Sequence, residues 1–395
     1  MHYIKQCLDH TRVLNHKKMI NNKIMNIDND NKFGLESGMI ELQLTDKCNL
    51  KCHHCHFREE GDYSLKKEWI DKVVNTIKPN AISLAGGGEP TLYPDFSSVV
   101  KSLKKINNGR VQIGLITNGV FMPKGDWQKS LEWLRVSLYS INNNLYCGKN
   151  KLVQDTVIKN IEIYLNDIRV KMFGVHLLYY KENIIDCIKL SYKIYQLFLK
   201  SKRSISDFNI QFKLAFNVIN PHSLSLKDYY NNLNFIPKIN DFKQAINYLR
   251  NLFEKNPEYK HFLNECTNYH QFKNYLQKEV YDTISEQANP YNLILNDLSN
   301  CYVSLAFSLI TPDGHIYTCP SIAEHRNSKF ALTHIDADNT DINKKVYHFY
   351  NCNYSWCNKR FCRHYKHNIL LENNLNSEKG IDKDKICNYP EDYFF

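Results

Sequence analysis

Nothing in this sequence is apolar for long. No run approaches the roughly 18 residues that a membrane-crossing helix needs, so no span is expected. Residues 1–22 are basic and polar around no apolar centre, and so they do not read as a secretory signal. No internal repeat is evident. The excess of basic over acidic residues is modest, 51 against 41, and suggests an acidic partner at most weakly. Much of it reads as a compositional leaning toward Asn and Lys, and nucleic-acid binding is not expected. What is present is an ordinary globular balance, 43% hydrophobic and 23% charged, over 395 residues. That length holds one large domain with an appendage, or two domains. Thirteen cysteines are many for such a chain. Without a leader they point to metal binding in a reducing cytoplasm, not to a disulfide framework.

Three of those thiols form the sharpest signal. Cys48-Asn-Leu-Lys-Cys52-His-His-Cys55 follows an alternating stretch, Ile40 to Leu44, that reads as a strand delivering a loop. A short irregular loop with three converging thiolates suits an iron–sulfur cube whose fourth iron has no protein ligand. An iron left open can bind a small chelating molecule. The alternative is zinc, with His53, His54 or His56 completing the set, although a compact trio is a poor half of the usual paired arrangement. After a helix over 65–77 ended by Pro79, Ala81 to Ala85 reads as a buried strand that runs into Gly86-Gly-Gly-Glu89-Pro90. Glycines let backbone approach a ligand closely, and Glu89 can accept from an ammonium group.

The segment from Thr45 to Cys55 resembles the cluster loop of the radical S-adenosylmethionine (SAM) superfamily. The turn of Gly86, Gly87, Gly88, Glu89 and Pro90, one βα unit later, resembles the motif that holds the amino group of SAM in that family. One departure is His54, where a larger aromatic residue is common; an imidazole can still pack on adenine. The resemblance implies that Cys48, Cys52 and Cys55 ligate a [4Fe–4S] cluster and that SAM chelates its open iron. An electron from a flavodoxin- or ferredoxin-type reductant would then split SAM to methionine and a 5′-deoxyadenosyl radical. It also implies that Ser137 and Ser140, at the end of a strand over 135–139, face the ribose or carboxylate of SAM.

The rest of the chain alternates. Helices are expected over 96–106, 153–165 and 184–199, and strands over 111–116, 170–179 and 208–218. Such alternation implies parallel pairing through right-handed crossovers, with sites at the C-terminal strand ends. The fold class expected is α/β, a partial (β/α)6 TIM-like barrel, with a helical insertion and a small C-terminal cluster-binding domain containing a β-hairpin. The division expected is an N-terminal extension over 1–38, the barrel over 39–220, the insertion over 221–300 and the cluster domain over 301–395. In the first of these, a short helix over 3–19 precedes an Asn/Asp-rich linker. The insertion, with helices over 242–253 and 272–284, is expected to cover the open side of the barrel, its aromatics mostly core.

From Cys301 the pattern changes. Residues 302–310 read as a strand, Thr311-Pro-Asp-Gly314 as a turn and 315–318 as the returning strand before Cys319. Cys301, Gly314 and Cys319 in this spacing resemble the opening of the SPASM and twitch domains, which add auxiliary [4Fe–4S] clusters to radical SAM barrels. The later thiols are fewer and differently spaced than in the full pattern. One auxiliary cluster is therefore the expectation, held by Cys301, Cys319 and two of Cys352, Cys357 and Cys362. A second cluster, or zinc with His364, remains open, and Cys387 is a further candidate. Cys7, Cys147, Cys187 and Cys266 read as structural or idle. Function divides three ways. The first is maturation of a ribosomally made peptide by cross-linking or side-chain oxidation. The second is tailoring of a small molecule such as a sugar or cyclitol. The third is a non-enzymatic zinc or electron-transfer module.

Overall fold

The computed structural model describes residues 16–28, 35–52, 55, 62–139, 151–214, 239–266, 300–323 and 328–337. Between 345 and 375 it adds 345, 346, 349–351, 368, 371, 372 and 375. Six strands run parallel in chain order: β1 (Met39–Leu42), β2 (Ala81–Leu84), β3 (Gln112–Thr117), β4 (Trp133–Leu138), β5 (Met172–Tyr179) and β6 (Phe208–Leu214). They are interleaved with helices α1 (Lys17–Asp28), α2 (Lys67–Ile77), α3 (Phe96–Lys104), α4 (Lys151–Asn166) and α5 (Ile184–Leu199). The expected alternation therefore stands, and the sheet is open, with β6 at one edge.

The two faces of the sheet follow from the period of two in the strands. Ile40, Leu42, Ile82, Leu84, Ile113, Leu115, Val136, Val175 and Leu177 are fully buried on one face. Many alternate positions are polar, among them Glu41, Gln43, Ser83, Arg135, Ser137, His176, Asn209 and Gln211, with Gly114, Ile116, Trp133 and Gly174 on the same face. The register sets Ser137 beside His176 and His176 beside Gln211. A polar inner face and an apolar outer one is the pattern of a strand set that is helix-covered on one side and lines a cavity on the other. Helix α2 shows the matching pattern: Ile70, Val73, Val74 and Ile77 are buried at helical spacing, and Lys78 ends it in a left-handed turn whose N–H reaches Val74.

A C-terminal hairpin joins the same sheet. Strand β7 (Phe307–Ile310) pairs parallel with β1, and β8 (His315–Tyr317) pairs antiparallel with β7 around the expected Thr311–Gly314 turn. Strand β9 (Thr333–His334) closes that edge. The nine strands form one sheet in the order β6-β5-β4-β3-β2-β1-β7-β8-β9.

Three expectations need correction. The Asn/Asp-rich segment is helical as far as Asp28, because Ile20 is fully buried and Met19 and Ile24 pack on the same core, which outweighs poor intrinsic propensity. Residues 302–310 are not a continuous strand: Tyr302–Leu305 form a 3-10 turn. Its residues are buried all round, so no periodicity distinguished it from strand, and Asn368 fixes it by accepting from the Val303 N–H at 2.9 Å. The described part of the insertion, α6 (Ile239–Lys255) and α7 (Pro257–Cys266), packs against α5 on the outer layer, not across the mouth. Its aromatics are core, as expected: Tyr259 and Phe262 lie among Tyr192, Tyr195, Phe198 and Phe208, with Tyr195 and Phe262 4.9 Å apart. The helix expected over 272–284 lies outside the described residues.

The burial of Ile20 makes α1 part of the folded core. Ile20→Ala should cost about 2–4 kcal/mol in urea unfolding, against less than about 0.5 kcal/mol for Met25→Ala at an exposed position of the same helix.

Candidate active site

The loop after β1 is zipped at its base. The Leu65 N–H donates to Leu44 O at 2.9 Å, the Asp46 N–H to Tyr63 O at 2.9 Å, and the Thr45 and Ser64 hydroxyls meet at 2.7 Å. This closure ties off the base of the segment that carries Cys48, Cys52 and Cys55. The Cys55 N–H donates to Cys52 O at 3.0 Å, so these two share a tight turn. The Leu50 N–H points at the Cys48 sulfur at 3.5 Å. His53, His54 and His56 lie outside the described residues.

The glycine turn after β2 is bonded to that loop. Gly88 N–H donates to Thr45 O at 2.7 Å and Glu89 N–H to Lys47 O at 2.8 Å. At Gly88 a Cβ would lie 2.2 Å from Lys47 O, so only glycine permits this approach. Gly86 and Gly87 have φ of 75° and 62°, two consecutive left-handed residues. A Cβ on Gly86 would strike the Gln43 amide at 2.5 Å and the Glu41 carboxylate at 2.7 Å. Gln43 is fully buried beneath this turn, and its Oε1 has no hydrogen-bond partner. Pro90 opens the short 3-10 turn Pro90–Leu92 that Glu89 caps.

Glu89 does something other than offer a carboxylate to a ligand. It is buried, and both oxygens are used. Oε1 accepts from the Thr91 N–H at 3.2 Å, the Thr91 hydroxyl at 2.7 Å and the Thr117 hydroxyl at 2.6 Å; Oε2 accepts from the Asn118 N–H at 2.7 Å. Burial pushes its carboxyl above the usual range, and these donors oppose that shift. Glu89 therefore fastens the exit of β2 to the exit of β3. Asn118 in turn reaches the cysteine loop, with its side-chain NH2 2.8 Å from Asn49 Oδ1 and 3.8 Å from the Cys48 sulfur. Sequence reasoning singled out neither Thr117 nor Asn118 for the site.

Ser137 is half-buried on the polar face of β4, beside His176; Ser140 lies outside the described residues. The sequence reading also passed over Arg135 and His176. Their signal was there, in the polar alternates of otherwise apolar strands. The Arg135 guanidinium lies 5.1 Å from the Trp133 ring centroid, and Trp133 packs against Gly114, where a Cβ would be 2.0 Å from the indole.

The C-terminal thiols take a different place. Extending the β7–β8 register sets Cys319 level with Phe307, at the end of the sheet where β1 begins. Cys301 opens the 3-10 turn leading into β7 at that same end, with its N–H bonded to Tyr350 O and the Asn368 amide 3.8 Å from its sulfur. Cys48, Cys52 and Cys55 lie beyond the opposite end of β1. Cys352, Cys357, Cys362, His364 and Cys387 lie outside the described residues, as do Cys7 and Cys147. Cys187 is buried with its thiol on Leu178 O, and burial pushes its ionisation far up, consistent with a structural role.

Residues 42–191 match the family model described as the radical SAM superfamily. This segment is a radical SAM domain. The radical SAM family implies a [4Fe–4S] cluster and SAM, and the residue types suit both, three thiols on one loop with a glycine turn bonded to it; among the described residues, however, no three metal-ligating side chains are gathered closely enough to hold a metal ion. A GTP 3′,8-cyclase of Clostridium perfringens is 30% identical over 178 residues, 41% of this chain and 54% of that protein. A probable GTP 3′,8-cyclase of Saccharolobus islandicus is 32% identical over 123 residues, 29% of this chain and 39% of that protein. The chain thus spans about half the length or less of these curated relatives. The solved structure of SuiB from Streptococcus suis bound to the precursor peptide SuiA is 15% identical, with a TM-score of 0.48, over 84% of this chain and 68% of that one. That likeness is too distant to bear on substrate. No helix among the described residues is long and apolar enough to cross a membrane.

The Glu89 contacts generate a test. Oε1 faces the backbone N–H of Thr91 and Oε2 that of Asn118, so an amide in either orientation sets its NH2 against a fixed donor. Glu89→Gln should therefore lower stability by about 1–3 kcal/mol in chemical denaturation, although the side chain keeps its shape.

Proposed function

We propose that this protein is a radical SAM enzyme that cleaves SAM reductively and abstracts hydrogen from a substrate. The observation that carries this reading is the bonding of the three-cysteine loop to the Gly86–Pro90 turn through Thr45 and Lys47. Cys48, Cys52 and Cys55 would hold the cluster, and the turn of Gly86, Gly87 and Gly88 would receive the amino end of SAM, with Ser137 and Ser140 toward its ribose or carboxylate. When bound, these groups supply a 5′-deoxyadenosyl radical after one electron arrives from a flavodoxin- or ferredoxin-type reductant. The chain itself would hold the thiols on the loop after β1, bring the glycine turn against that loop and set Arg135, His176, Asn209 and Gln211 on the polar face of the sheet. Glu89 serves as a positioning residue, since its oxygens are already committed.

For the substrate we propose a ribosomally made peptide, cross-linked or oxidised at a side chain. The SPASM-like spacing of Cys301, Gly314 and Cys319 supports it, as does the hairpin that carries them on the radical SAM sheet. Cys301 and Cys319, with two of Cys352, Cys357 and Cys362, would hold one auxiliary [4Fe–4S] cluster. A cytoplasmic setting accords with this chemistry. A second reading, a small-molecule substrate, is favoured by the GTP 3′,8-cyclase relatives. The two separate on whether GTP or a short precursor peptide raises 5′-deoxyadenosine output.

Anaerobic, reconstituted protein with SAM and a reductant should form 5′-deoxyadenosine and methionine. Cys52→Ala should abolish both, as chromatography would record; unchanged product defeats the assignment. Cys319→Ala should lower iron content while retaining some cleavage, and full retention of iron refutes an auxiliary site at that thiol.

A further inference from the structure

The loop after β3 supplies no thiol and no glycine cradle, yet it touches the cysteine loop directly. We propose that Asn118 is a positioning residue that sets the reduction potential of the cluster by donating an N–H to the Cys48 sulfur. This rests on the radical SAM reading above.

The geometry of Asn118 is determined at its backbone N–H and at both polar atoms of its side chain. Its backbone N–H is held by the buried Glu89 at 2.7 Å. Its Oδ1 accepts from the Val120 N–H at 3.0 Å. That bond decides the orientation of the amide, because a flipped side chain would set NH2 against a backbone donor. The two remaining hydrogens sit on Nδ2, and two acceptors lie before them: Asn49 Oδ1 at 2.8 Å and the Cys48 sulfur at 3.8 Å. The donor cannot rotate away, because the turn beneath it is fixed by Glu89, and by the Gly119 N–H bonded to the Thr117 hydroxyl at 3.0 Å.

A donor aimed at a ligating thiolate draws charge off that sulfur. The reduced cluster carries one more electron than the oxidised one and gains more from the donor, so the couple shifts upward. The Leu50 N–H acts on the same sulfur in the same sense, but it belongs to the loop's own backbone, and only proline, which would also restrict the loop's φ, could remove it. Asn118 is therefore the side chain through which the β3 exit acts on the one-electron step. An electron from an external reductant enters the oxidised cluster, and nothing else in that step changes hands.

The test is a redox titration of the anaerobically reconstituted full chain without SAM, followed by electron paramagnetic resonance of the reduced cluster, with iron and sulfide assayed on the same samples. Asn118→Leu keeps the side-chain size and removes the donor. It should load iron as the wild type does and lower the equilibrium constant for reduction about tenfold, equivalent to about 59 mV for one electron. Asn118→Asp keeps the Val120 contact and replaces the donor with a negative carboxylate, so its shift should be larger in the same direction. It also carries the measurement if Asn118→Leu fails to fold. A loaded variant pair with an unmoved midpoint overturns this proposal alone. A wild-type protein that takes up no iron and sulfide overturns the radical SAM reading and this proposal with it.

Discussion

A single buried carboxylate joins the two strand exits that flank the glycine turn. Glu89 accepts four hydrogen bonds, two from its own turn at Thr91 and two from Thr117 and Asn118 on the next loop. A carboxylate taken out of water is costly unless its lone pairs are filled, and here donors from both loops fill them. The same residue donates its N–H to Lys47, on the cysteine loop. Three loops that are separate in sequence are therefore bonded to one another, and Cys48 sits where they meet.

That arrangement explains which features were legible in advance. The cysteine spacing and the glycine turn are local patterns, and their chemistry is written in residue type. The helices and strands of the barrel follow from apolar periodicity, and α5 has the bounds that periodicity assigns it. Asn118 and the inward use of Glu89 are not local facts. Each depends on a partner 28 to 70 residues away, which no window of sequence contains. An acidic residue after three glycines looks like an offered ligand until the neighbouring strand exit is seen to consume it.

The misread elements have the same origin. Asn and Asp disfavour helix when considered alone, but Ile20 has a core to enter, and so the segment coils. Residues 302–305 are mostly apolar and buried, and the Asn368 side chain, 65 residues away, helps fix them as a 3-10 turn. The aromatics of α6 and α7 belong to the outer layer because α5 and β6 present Tyr195, Phe198 and Phe208 to them. In each case a distant surface, absent from any short stretch of sequence, chose between two acceptable local conformations.

The pairing of β7 with β1 has a consequence for how such a chain can be cut. The Met39 N–H is held by Ala306 O and the Gln43 N–H by Ile310 O, each at 3.0 Å, so the strand bearing the cysteine loop is flanked on both sides. A fragment ending before residue 300 would leave that strand as a raw border, with its amides and the Ser37 hydroxyl bared to solvent or to another molecule. The C-terminal hairpin is thus welded to the strand that carries the first thiols, and excising it would invite sticky, edge-to-edge self-association before any chemistry could be measured.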